Sequence, residues 1–270
     1  MIRDEYLRRL VDGAHLDLYL SATDGARVYW PWRMQPVHEA DERHRNACEH
    51  YIVDSSFKDE SITNSDVLNA AAALDAEVAV LADVYQDKDA TVDVILDGLE
   101  LADEHRFDGD LMVPLQPPHH ECYVELEGQA DLYAVGGVKD ASDTEKIQAA
   151  KAVREVAGPE IHLHGLGYGA TDRIASAVRE SPPLLDSVDY STPIQSAMHV
   201  SVEPGKERMS VVAAHSAAQL VQDLRRFSEF PNSAENSTHQ TTLAQADGGR
   251  NVQSLNTDGN PHPHAGGGSQ

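Results

Sequence analysis

Short apolar runs alternate with amphipathic segments along the first 230 residues of the chain. Most of these runs are unbroken rather than alternating with polar residues, which is typical of strands that are covered on both faces. Each run is bounded by polar residues, glycine or proline, as strand ends usually are. The pattern predicts eight strands, at residues 17–21, 27–32, 50–55, 77–84, 110–115, 132–136, 161–165 and 187–190.

The segments between these runs carry helix signals. Ser65-Asp66 precedes an alanine-rich helix, Asp89 precedes a helix with an apolar stripe, and residues 142–145 form a Ser-Asp-Thr-Glu capping box. Gly158-Pro159 ends the helix that this box begins, and residues 209–230 have the pattern of a last long helix.

Strands and helices that alternate in this way form right-handed βαβ units and a parallel sheet. Seven or eight units favour a closed barrel over an open sheet, and no glycine-rich phosphate-binding sequence follows the early strands. We therefore predict an α/β fold with a TIM-type (βα)8 barrel, complete or trimmed, over residues 1–230.

The last forty residues, 231–270, have a different composition. They are rich in Ser, Asn, Thr, Gln, Gly and His and contain few large apolar residues. Such a segment buries too little apolar surface to offset its conformational entropy, so we predict a disordered polar tail. We interpret its His-Pro-His run, residues 262–264, as part of that tail and not as a metal site.

The charge balance is strongly acidic, with 21 Lys and Arg against 45 Asp and Glu and a net charge of -24. The acidic residues are spread along the chain, which indicates adaptation to high salt rather than one basic partner. We expect a high-salt cytoplasm, as in halophilic archaea or their viruses.

The two cysteines, Cys48 and Cys122, lie in no metal-binding or disulfide pattern. No apolar stretch is long enough to span a membrane, and the N-terminus does not resemble a signal peptide. We therefore expect a cytoplasmic protein with no membrane partner.

Polar residues and glycines follow most of the predicted strands. In a TIM-type barrel, chemistry takes place at the C-terminal ends of the strands. Taken singly, an aspartate there is often a helix cap and a glycine pair often marks a tight turn. Because all of them fall at the same predicted rim, we take as site candidates Asp54, Ser55, Asp83, Gln116, Gly136, Gly137, Gly165, Asp186 and Asp189.

These residue types suit the recognition of a purine-like base. Carboxylates accept hydrogen bonds from N–H donors on the base edge, an amide donates to its carbonyl, and a glycine backbone allows close approach. A separate aspartate can attack an anomeric carbon and form a covalent glycosyl-enzyme intermediate. This chemistry requires no metal and no other cofactor.

Five short motifs, in order along residues 50–191, resemble those of the tRNA-guanine transglycosylase family, including its archaeal members and the phage branch that places 7-deazaguanines in DNA. Residues 52–57 are similar to the family's Asp-Ser-Gly-Gly-Phe stretch, and residues 83–87 to its second-aspartate segment. The other three similarities are Pro114-Leu-Gln116, Tyr133-Ala-Val-Gly-Gly137, and His162-Leu-His-Gly-Leu-Gly167 followed by Leu185-Asp186-Ser-Val188.

The resemblance implies a barrel enzyme that replaces guanine in a nucleic acid with a 7-deazaguanine base. It implies that Asp186 is the nucleophile on C1′ and Asp54 the acid/base residue. It also implies that Asp83 and Gln116 hold the base edge beside the backbone of residues 136–137. Asp189 remains an alternative nucleophile.

Several features depart from the family pattern. Ser55-Ser56 replace the glycine pair, Pro117 replaces the glycine after Gln116, and no Thr-Arg pair follows the nucleophile motif. The zinc-binding cysteines and the C-terminal RNA-binding domain of bacterial members are also missing. These departures favour DNA over tRNA as the nucleic-acid partner, and the oligomeric state stays open, a homodimer included.

Two other hypotheses remain. His162 and His164 are spaced like a metal-ligand pair on one strand face, and His119-His120 follow another strand, which is compatible with a metal-dependent barrel hydrolase. The chain is also compatible with a non-catalytic relative that binds a base or a nucleic acid.

Overall fold

The structure is a computed structural model that describes residues 5–21, 28–56, 61–201, 204–205 and 207–228. The predicted tail, residues 231–270, and Phe57 of the first motif lie outside the described residues.

Within the described residues, eight parallel strands close into a barrel in the order β1 to β8. Every neighbouring pair is parallel, and β1 closes the barrel by pairing with β8. The predicted TIM-type (βα)8 barrel is therefore confirmed. The strands are β1 Asp17–Ser21, β2 Trp32–Pro36, β3 His50–Asp54, β4 Val78–Val80, β5 Asp110–Leu115, β6 Leu132–Val135, β7 His162–Gly165 and β8 Ser187–Tyr190.

Helices separate most of the strands and cover the barrel. They are α1 Glu5–Asp12, α2 Glu42–Arg45, α3 Asn64–Ala73, α4 Lys88–His105, α5 His119–Leu126, α6 Asp143–Ala157, α7 Asp172–Glu180, α8 Thr192–Met198 and α9 Arg208–Arg226. None of the helices in the described part of the chain has the length and apolar character of a membrane span.

The helix starts follow from local capping. The predicted box at Ser142 and Glu145 is present, with each side chain bonded to the other residue's backbone N–H. Thr63, not Ser65, caps α3, and Asp87, not Asp89, caps α4, because in each case the side chain reaches the N–H three residues later.

Two predicted strands needed correction. Val28, Trp30 and Pro31 are buried and Tyr29 is exposed, but these residues form a loop that packs on the barrel, where the Trp30 indole donates to the Leu18 carbonyl at 2.7 Å. The strand starts at Trp32 and includes Arg33 and Gln35, both fully buried, so its polar residues concealed it.

β4 ends at Val80 and does not reach residue 84. Side chains of the two flanking helices, α3 before the strand and α4 after it, take over the backbone donors that would continue the strand. The Asn64 side chain accepts from the N–H of Ala82 at 2.7 Å, and the Thr91 hydroxyl accepts from the N–H of Val84 at 3.0 Å. Asp83 therefore lies in a fixed loop beyond the strand.

Candidate functional site

The C-terminal rim of the barrel holds all but one of the predicted site residues. Asp54 ends β3, Gln116 directly follows β5, and Gly165 ends β7. Asp189 is the third of the four residues of β8, so it also lies towards this rim. Asp83 and the pair at 136–137 follow β4 and β6.

Asp186 lies at the opposite end of the barrel, directly before β8. Its carboxylate accepts from Arg154 of α6 at 2.5 Å and from the N–H of Leu163 at 2.8 Å. Its carbonyl accepts from the N–H of Asp17 at 2.9 Å. The prediction that Asp186 joins the other residues at the rim is therefore wrong. Strand β8 begins directly after Asp186, as the predicted strand at 187–190 already implied, so Asp186 lies at the N-terminal end.

A cavity of about 410 Å³ opens beside Arg154 at this same N-terminal end. The guanidinium already donates to the carbonyls of Gly158, Ile161 and Leu184 as well as to Asp186. These bonds tie α6 to the loops before β7 and β8. We interpret the arrangement as a structural clamp and not as part of the rim site.

Asp189 is held by one oxygen of its carboxylate. Oδ1 accepts from the N–H of Gly167 at 2.6 Å and lies 3.4 Å from Nε2 of His164. Among the described residues, no donor reaches Oδ2. The carboxylate is thus oriented from one side and retains one oxygen for another partner, as a nucleophile requires.

Two further carboxyl groups share this rim with Asp189. Burial raises the pKa of Asp54 to about 7, and the charges of Asp189 and Asp83 add to the effect. Burial also raises the pKa of Asp83 to about 6, although a hydrogen bond from Gln116 opposes it. A carboxyl that holds a proton near neutral pH beside an ionisable neighbour is the arrangement found in carboxylate acid/base pairs.

Gln116 holds Asp83 rather than facing the mouth of the barrel. Its side chain is fully buried, its amide nitrogen donates to Asp83, and its amide oxygen accepts from the N–H of Gln86 at 2.8 Å. The expectation that Gln116 itself contacts a base is therefore replaced. It fixes the loop after β4 and holds Asp83, which is the less buried of these two side chains.

The glycine pair after β6 makes room for this amide. A Cβ on Gly136 would lie 2.8 Å from the Gln116 nitrogen, and a Cβ on Gly137 would overlap its oxygen. Gly137 also has a positive φ of 66°. The pair is thus required by the packing of Gln116.

We expect Gly137→Ala to be more destabilising than Gly128→Ala. Both glycines have a positive φ, but a Cβ at Gly128 meets nothing within 4 Å. Gly128→Ala should cost about 1 kcal/mol for the backbone alone, and Gly137→Ala about 1–3 kcal/mol more for the overlap. Denaturant unfolding measures both, and equal losses would contradict the packing role.

The remaining predicted residues have supporting contacts. The Ser55 hydroxyl donates to the carbonyl of Leu81 at 3.3 Å and joins the ends of β3 and β4. A Cβ on Gly165 would lie 2.6 Å from the Tyr168 ring, so this glycine lets the ring pack against β7.

Lys146 is a rim residue that the sequence analysis missed. It is buried in α6 and donates to the carbonyl of Gly167 at 2.8 Å, so it supports the same residue whose N–H binds Asp189. Burial lowers the pKa of Lys146. A lysine in the first turns of a capped helix is normally exposed, and no local signal reveals its contact with a loop some twenty residues later.

The histidine pair does not form a metal site with its neighbours. Both His162 and His164 bind the Ser187 hydroxyl, and His119 binds the carbonyl of Gly136 at 2.8 Å. Among the residues that the structure describes, no group of three or more His, Cys, Asp or Glu is placed to hold a metal ion.

Asp54 provides a test of the electrostatics of this rim. Its pKa rises from the ordinary 3.8 to about 7, so the folded state binds the proton more tightly than the unfolded chain. The stabilising contribution is complete below pH 3.8 and is lost as the pH rises towards 7. We expect Asp54→Asn to raise the melting temperature at pH 8 by at least about 3 °C, or about 1 kcal/mol.

The gain should disappear near pH 4. Because the chain is strongly acidic, the removal of any carboxylate relieves some repulsion, and Asp97→Asn on the exposed side of α4 controls for this. An equal gain in both variants at pH 8 would show that Asp54 is not specially disfavoured.

No protein-family model matches this chain, and no curated protein matches it. The assignment of the site is therefore based on the geometry of its residues.

Proposed function

We propose that the protein is a base-exchanging transglycosylase that replaces guanine in a nucleic acid with a 7-deazaguanine, with Asp189 as the nucleophile. The observation that carries the proposal is the placement of Asp189, oriented through one oxygen by Gly167 and His164 and beside the proton-holding carboxyl of Asp54. The motifs up to Gly167 that resemble the tRNA-guanine transglycosylase family support the same chemistry. The last motif assigned the nucleophile to Asp186, and the proposal departs from it at that residue.

The reaction takes two displacements at the same carbon. In the first, an oxygen of Asp189 bonds to C1′ as the bond from C1′ to the guanine nitrogen breaks, and Asp54 gives its proton to the departing base. In the second, Asp54 takes a proton from the incoming base, whose nitrogen then bonds to C1′ and releases Asp189. Two displacements retain the configuration at C1′.

The carboxyl of Asp83 is suited to the base edge. A guanine-type edge presents adjacent N–H donors, and a carboxylate fixed by Gln116 offers acceptors without moving. Tyr85 follows two residues later and is 40 % exposed, a ring of the kind that stacks on nucleobases.

We favour DNA as the polymer, with tRNA as the alternative, in a high-salt cytoplasm. The net charge of -24 opposes phosphate binding in dilute salt, but this repulsion is screened near molar ionic strength.

The experiment is incubation with radiolabelled guanine or 7-cyano-7-deazaguanine and either DNA or tRNA in molar KCl. Label that enters DNA supports the proposal. Label that enters only tRNA keeps the proposed reaction but makes tRNA the substrate. Binding of a base without label in either polymer would indicate the non-catalytic relative and overturn the proposed reaction. Tightly held stoichiometric metal in a tail-deleted protein would favour the hydrolase.

A further inference from the structure

A chain of polar side chains runs through the barrel interior behind Asp189. The Ser187 hydroxyl lies 2.8 Å from Nε2 of His162 and 2.8 Å from Nδ1 of His164. The other ring nitrogen of His164 faces Asp189. This series of hydrogen-bonded side chains therefore runs from His162 of β7 to Ser187 of β8 and back to His164 of β7. It ends at Asp189 of β8, the proposed nucleophile.

His164 is fully buried, and its ring is fixed on several sides. Tyr19 of β1 packs edge-on against it with ring centroids 5.9 Å apart. Both nitrogens face hydrogen-bonding atoms, so the ring has no free polar atom. This arrangement leaves few orientations open to the ring.

For a neutral His164 ring, the donors and acceptors fix the direction of these hydrogen bonds. A carboxylate only accepts, so Nε2 of His164 must carry a proton to make a favourable contact with Asp189. In a neutral ring Nδ1 then accepts, and the Ser187 hydroxyl must donate to it. That hydroxyl has one hydrogen, so Nε2 of His162 donates to the Ser187 oxygen. Burial lowers the pKa of His162, which agrees with a neutral ring.

We propose that His164 is a positioning residue that holds Asp189 through an Nε2–H donor, its tautomer set by Ser187. This inference rests on the proposed function. His164 touches no substrate in this role. Instead it fixes which carboxylate oxygen is engaged and leaves Oδ2 for the sugar carbon.

The first test does not depend on turnover. ¹⁵N NMR of the full chain labelled at histidine should show His164 as a neutral ring protonated at Nε2, with the resonance assigned by its loss in His164→Gln. In Ser187→Ala the Nδ1–H form should become populated, because Nδ1 loses its donor. A wild-type ring protonated at Nδ1, alone or together with Nε2, would overturn the proposal, because Ser187 would then not set the tautomer.

The second test compares two amides at this position. In His164→Gln the amide nitrogen reaches the place of Nε2, and in His164→Asn the side chain is too short to do so. We expect kcat to fall less than about 10-fold in the first variant and about 100-fold in the second, with KM unchanged in both. Equal losses, or a change confined to KM, would overturn the positioning role.

The two tests separate the possible failures. If the wild-type protein exchanges no base, the proposed function fails, and the NMR spectrum still decides whether His164 presents Nε2–H to Asp189. If exchange occurs but the ring is protonated at Nδ1, only the positioning role fails.

Discussion

Replacing Asp189 by Asn should abolish base exchange, with a loss of at least about 1,000-fold in kcat. The amide has nearly the same shape but is not nucleophilic, so no covalent intermediate can form. The N–H of Gly167 can still donate to the amide oxygen, and we expect the fold to be kept. Single-turnover incorporation of labelled base measures the loss, and denaturing gels after quenching should show polymer-linked protein only for the wild type.

Asp186→Asn is the matched control, because it makes the same chemical change at the other end of β8. Asp186 binds Arg154 and the N–H of Leu163, away from the rim. We expect the folded variant to retain activity within about 10-fold of the wild type. If Asp186→Asn were inactive and Asp189→Asn active, the assignment of the nucleophile from geometry would be wrong.

Replacing Arg154 by Leu should lower the free energy of unfolding by about 3 kcal/mol, a large stability effect for one side chain. The Arg154 side chain is only 10 % exposed and the Asp186 side chain 29 %. The change would leave the Asp186 carboxylate and the carbonyls of Gly158, Ile161 and Leu184 without this donor. Denaturant unfolding measures the loss.

Lys151→Leu serves as the control, because Lys151 is exposed on the same helix. It should change stability by less than about 0.5 kcal/mol. A similar loss in both variants would show that the clamp contributes little. Since the clamp lies at the N-terminal end, activity per folded molecule should be kept in Arg154→Leu.

The barrel could be predicted because its signals are local. The strands at 17–21, 110–115 and 187–190 have the predicted limits, and the capping box at Ser142 begins α6 as expected. The predicted limits of β2 and β4 were wrong because these strands depend on contacts between segments that are distant in the sequence. Buried Arg33 and Gln35 resemble loop residues in sequence, and side chains from α3 and α4 end β4 early.

The site was predictable in position more than in role. Asp54, Asp83 and Gln116 follow clear apolar runs, so their place at the rim could be predicted. Asp186 was predicted to lie at the rim because it follows the apolar pair Leu184-Leu185 and matches the nucleophile motif of the family, although the predicted strand at 187–190 already put it before β8. The burial of Gln116 depends on how three loops pack together, which no local pattern encodes.

The single amide of Gln116 joins the loop after β4 to the turn after β6. A larger side chain at residue 136 or 137 displaces the amide, and loss of the amide releases Asp83. Substitutions at these positions are therefore interdependent, and a single substitution that the fold tolerates without a second one would be rare. Among homologous chains, we expect Asp83, Gln116 and residues 136–137 to change together or not at all. Changes in ligand preference should then arise first at other positions of the rim.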